Sequence, residues 1–113
     1  MINALEITGR ADTRDVFIGG VLLSPAQSQK LKNHSPDGFA WGYGGSGPAQ
    51  LALAILLALT GDKDFTLANY QDFKFTVVAG LPIDKDFSLP INTVDEWSQS
   101  PRPNGRGLFV RTR

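Results

Sequence analysis

The chain has 113 residues and a mass of 12.2 kDa, with eleven Lys plus Arg against eleven Asp plus Glu and no Cys. Zero formal charge excludes capture of a polyanion by the bulk field alone, and the lack of Cys excludes disulfides and thiolate metal sites. Apolar residues at 42% and charged residues at 19% suffice for one packed core, so a single α+β domain is expected over residues 1–100, with a tail over 101–113.

No signal peptide is expected, since Ile2-Asn3-Ala4-Leu5-Glu6 follows Met1 without a cationic stretch or an apolar run. Leu5 and Ile7, then Val16 and Ile18, alternate as strand residues. Gly19-Gly20 between Val16-Phe17-Ile18 and Val21-Leu22-Leu23 predicts a hairpin, because glycine reaches positive φ without a Cβ penalty. The expected sheet is antiparallel with three strands. Ser24-Pro25 ends the second arm, and Ala26 to Lys32 reads as one helical turn or a polar loop.

Next comes the densest loop signal, Asn33 to Pro48, in which aromatic residues are interleaved with glycines. A buried helix follows at 48–60. Ser46 or Gly47 suits its cap, Pro48 its first position, and Gly61 a left-handed exit. Leu51, Leu53, Ile55, Leu56, Leu57 and Leu59 surround the cylinder, so it lies at the centre of the core. Its apolar run is about half of the roughly 20 residues that cross a bilayer, so a cytoplasmic protein without membrane contact is expected.

A second helix is expected at 64–80, with Tyr70, Phe73, Val77 and Leu81 as its stripe, and Leu81-Pro82 closes it. Asn92 caps a short third helix at 92–99 carrying Val94 and Trp97, with Asp95 and Glu96 in its first turn. From Trp97 to Arg113 there are four Arg and no acidic residue, giving that end +4 and the remainder −4. Within it, Leu108-Phe109-Val110 has the composition of an added edge strand.

The main candidate site is the glycine loop before the buried helix. Its backbone, the Ser46 hydroxyl and the amides of the first helical turn can line a concavity for an anion. Trp41 and Tyr43 flank Gly42, so in an extended segment both rings face one side and can hold a partner. Trp41, Tyr43, Gly44, Gly45, Ser46, Gly47, Gln50 and His34 form the candidate binding set. No Lys follows the last glycine, so this is not a P-loop. His34 with Ser46 is the alternative, a small hydrolase, although no acidic orienting residue stands at a diagnostic spacing. Arg102, Arg106, Arg111 and Arg113 give a third reading, weak and salt-sensitive nucleic-acid binding. Carboxylates at Asp62, Asp64, Asp84 and Asp86 read as helix starts or solvated groups rather than a Mg²⁺ site, so no metal and no cofactor is expected.

Asn33-His34-Ser35-Pro36, Gly38-Phe39 and the run Trp41-Gly42-Tyr43-Gly44-Gly45-Ser46-Gly47-Pro48-Ala49-Gln50-Leu51-Ala52-Leu53-Ala54 closely resemble the hallmark of a family of small uncharacterised proteins from bacteria, archaea and their viruses. Tyr70-Gln71-Asp72-Phe73-Lys74, Val77-Val78, Leu81-Pro82 and the segment near Trp97 are similar too, so the resemblance covers roughly 5–98. It implies no activity, but marks Phe39, Trp41, Tyr43, Gly44, Gly45, Ser46, Gly47, Pro48 and Gln50 as the positions of interest. Ala40 stands where many relatives carry Glu, which weakens acid/base chemistry in the loop. The leading expectation is a non-enzymatic module that recognises a protein partner or small anionic ligand, including a virus-encoded protein that interferes with a host factor. Self-association is left open.

Overall fold

The computed structural model describes residues 6–99. The chain forms a mixed α+β fold, with a four-stranded antiparallel sheet and four helices. Strands β1 (Glu6–Gly9), β2 (Val16–Ile18) and β3 (Val21–Leu22) come first, then helices α1 (Ala26–Leu31), α2 (Ser46–Thr60) and α3 (Lys63–Thr76). A single 3₁₀ turn (Val78–Gly80), strand β4 (Phe87–Pro90) and helix α4 (Ile91–Gln99) complete it.

The sheet order is β3-β2-β1-β4. The hairpin forms as expected, with Gly19 and Gly20 at φ of 58° and 81° and Ile18 opposite Val21. Two successive positive φ values match the right-handed twist of the strands they join. The expected count of three strands is corrected by β4, which pairs Glu6 to Pro90 and Gly9 to Phe87. Its Phe87 and Leu89 are buried while Ser88 and Pro90 are exposed, a period-two pattern four residues long. Proline, which cannot donate to a ladder, is tolerated here at the edge of the sheet.

Helix α2 begins two residues earlier than the proline suggests. Gly45 is the cap, and the Ala49 N–H makes the first bond, to the Gly45 carbonyl at 3.0 Å. Pro48 is therefore the third helical residue, still in the turn whose N–H groups have no intrahelical partner, so its missing donor costs nothing. Every residue from Gly47 to Leu56 is buried, and Gly61 closes the helix at φ 65°. The buried apolar side chains form one cluster around it, drawn from β1, β2, β4, α3 and α4.

The expected helix at 64–80 is interrupted. Helix α3 starts at Lys63, capped by the Asp62 carboxylate accepting from the Phe65 N–H at 2.9 Å, and stops at Thr76. Val77 leaves helical geometry, so Val78 rather than Val77 is fully enclosed. Helix α4 starts at Ile91, which moves Asp95 and Glu96 beyond the first turn expected for them. Its Trp97 packs edge-on to Phe73 at 4.9 Å and donates to the Thr76 hydroxyl, docking α4 on α3. Among the described residues, no helix is long and apolar enough to cross a membrane. The Arg-bearing segment and Leu108-Phe109-Val110 lie outside the described residues, as does Leu5.

Candidate interaction site

The loop ahead of α2 is anchored from below by Trp41. This ring is completely buried, stands edge-on to Phe87 at 4.8 Å and donates its Nε1–H to the Lys85 carbonyl at 2.9 Å. Phe87 has room because its strand partner is Gly9, where a Cβ would fall 2.2 Å from the Phe87 ring. The Arg14 guanidinium lies 5.2 Å from the Trp41 ring centroid and bonds Asp84 at 2.7 Å. Trp41 thus ties the glycine loop to the 84–87 segment. The expectation that it belongs to a binding face is corrected: its surface and its one donor are consumed by the core.

Tyr43, two residues on, goes the other way and is 46% exposed. Strand-like alternation would have put both rings on one side, but Gly42 intervenes at φ +87°, a conformation that side chains rarely adopt. The Gly42 N–H donates to the Val78 carbonyl at 3.0 Å, and a Cβ there would lie 2.5 Å from the Cα of Ile83. The loop runs so close under the 81–83 segment that only glycine fits. A Cβ on Gly44 would meet Phe75 at 3.1 Å, one on Gly45 the Tyr43 ring at 2.4 Å, and one on Gly47 the Ala40 Cβ at 2.6 Å.

These contacts bring three apolar side chains around one short loop and leave them outside the core. Phe75 is 64% exposed and Ile83 54%. The backbone from Gly42 to Gly45 spans at most about 11 Å, so Tyr43, Phe75 and Ile83 all lie close to one short loop. Phe75 and Ile83 were not among the candidates from sequence. The available signal was that Phe75 falls off the Tyr70, Phe73, Val77 stripe.

The start of α2 offers little to an anion. No side chain caps it, Pro48 has no N–H and the Ala49 N–H is used. The amides of Gly45, Ser46 and Gly47 remain, and Gly47 is buried against Ala40. Ser46 itself is exposed.

Gln50 is fully buried and has a different task from ligand contact. Its Oε1 accepts from the backbone N–H groups of His34 at 2.7 Å and Ser35 at 2.9 Å. Its Nε2 donates to the Ser28 hydroxyl at 3.0 Å and the Lys32 carbonyl at 3.1 Å. All four valences of one amide hold the 32–35 loop and α1 onto α2, so its assignment to the binding set is corrected. His34 Nε2 lies 2.7 Å from the Tyr70 hydroxyl, so that nitrogen is engaged by a phenol. Burial, then the charges of Lys32 and Lys74, hold the imidazole below its ordinary pKa, so it is neutral at pH 7.

The carboxylates weighed for a metal are dispersed in structural duties. Asp62 caps α3, Asp84 pairs with Arg14, and Asp86 accepts from the Ala11 N–H at 2.7 Å. Among the described residues, no group of three or more His, Cys, Asp or Glu comes together.

A model of a family of unknown function, DUF6166, matches residues 8–100. The chain belongs to that family. The match spans nearly all the described fold, from β1 to the end of α4, and agrees with the extent of the resemblance seen in sequence. No curated protein and no solved structure matches the chain.

Proposed function

We propose that this member of the family is a non-enzymatic interaction module whose partner is a protein, docked on the apolar patch of Tyr43, Phe75 and Ile83. The observation that carries this reading is that patch itself. Three large apolar side chains stand between 46% and 64% exposed around a glycine loop too tightly packed to fold them inward. Aromatic anchors on a rigid base are the usual source of binding energy at protein interfaces. Asp84, exposed beside Ile83, supplies a polar group at the edge of the patch. The helix start has no side-chain cap and no basic residue beside it, which favours a protein over a small anion. By resemblance to proteins of bacteria, archaea and their viruses, the reading extends to a cytoplasmic accessory protein, acting on a host factor where the carrier is a virus.

The test is a photo-crosslinking amino acid at position 75 in native host cells, with the same group at Gln29 as control. One discrete adduct from position 75, lost in the Tyr43→Ser/Ile83→Ser background while circular dichroism is unchanged, supports the reading. Equal adducts from both positions, or an adduct that survives the double substitution, overturns it.

A further inference from the structure

A second concavity lies away from that patch, where α1 crosses the later half of α2. Its volume is about 380 Å³, within the range of small-molecule sites. The floor is Leu23, Ala54, Leu57 and Ala58. Ala54 and Ala58 are one helical turn apart and share a face, and their lack of bulk opens the space. An adjoining hollow of about 180 Å³ shares Gln27, Leu57 and Lys63 and adds Lys30 and Leu31.

The polar groups around it divide into two kinds. The Ser28 hydroxyl is spent, donating to the Pro25 carbonyl and accepting from Gln50, and the Ser24 hydroxyl accepts from the Ala26 N–H. The remaining polar residues of the two linings are Gln27, Lys63 and Lys30, all exposed. No acidic side chain lines either hollow among the described residues. Lys63 is the first residue of α3, where the helix field disfavours a cation, so helix stability does not explain its presence.

We propose that this hollow binds a small amphipathic anion of the medium-chain carboxylate class. The alkyl chain lies over Ala54 and Ala58, and the carboxylate meets Lys63 and Lys30 at the rim. The acyl chain gains from leaving water, and the head group keeps a charge-assisted partner at the solvent boundary.

Decanoate below its micellar concentration is the probe, read by titration calorimetry and thermal denaturation, with decylamine as the charge-reversed control. Decanoate is expected to raise Tm and to shift the backbone amide resonances of Ala54, Leu57 and Ala58, and decylamine to do neither. Lys63→Glu is expected to weaken decanoate about tenfold, and Ala58→Leu to abolish binding by filling the floor. The Tyr43→Ser/Ile83→Ser protein is expected to bind decanoate as the unaltered chain does, which separates this site from the proposed protein-docking patch. No Tm change with decanoate, equal binding of decylamine, unchanged affinity in Lys63→Glu, or loss in Tyr43→Ser/Ile83→Ser would each overturn the proposal.

Discussion

At its start α2 is crowded, and at its far half it is not. Gly42, Gly45 and Gly47 bring backbone and rings to distances a Cβ would forbid, and Tyr43, Phe75 and Ile83 end up outside. Farther along, buried Ala54 and exposed Ala58 line a hollow of about 380 Å³. Small residues thus serve opposite ends in one helix. Where another segment is drawn in by a bond such as Gly42 N–H to Val78 O, smallness becomes contact. Beside the hollow lined by Ala54 and Ala58, it becomes space.

The largest test of the crowded end is Trp41→Ala, expected to cost about 3–5 kcal/mol in urea denaturation because it empties a fully enclosed ring site. Gln50→Leu keeps the volume but strands two N–H groups and a carbonyl. Its expected cost is about 2–4 kcal/mol by the same measurement. Glycine substitutions sharpen the contrast. Gly42→Ala, with φ +87° and backbone at 2.5 Å, is expected to cost about 2 kcal/mol or more. Gly44→Ala meets only the edge of the exposed Phe75 ring and is expected to stay within about 0.5 kcal/mol.

The smallest effect expected is a pH dependence. Because folding lowers the His34 pKa, the unfolded chain takes up that proton first, so stability falls as pH drops below about 6.5 toward the folded value. His34→Gln is expected to flatten the urea midpoint across that window, and an unchanged slope would assign it to other groups.

Elements whose signals are local were legible in the sequence. The Gly19-Gly20 hairpin, the buried α2 and the Gly61 exit each rest on a few adjacent residues. Strand β4 was not, since Phe87 to Pro90 is too short to separate from a loop until β1 is beside it. The break after Thr76 was hidden because Tyr70, Phe73 and Val77 keep helical spacing across it. In the candidate site, the glycines announced a backbone constraint, but its cause lies in Ile83 and Phe75, over thirty residues onward. The pairing of Trp41 with Tyr43 failed on one dihedral, that of Gly42. Gln50 looked like a polar exception near a helix start, and its four partners lie in α1 and the loop after it, fifteen or more residues away.

The sheet has a consequence for biosynthesis. Strand β1 sits between β2 and β4, and its Gly9 meets Phe87 only when residues close to ninety have left the ribosome. Until then a nascent chain carries one bare edge on its central strand, a template for pairing with neighbours. The Trp41 anchor also waits for Lys85 and Phe87, so the glycine loop acquires its final shape only after that segment has emerged.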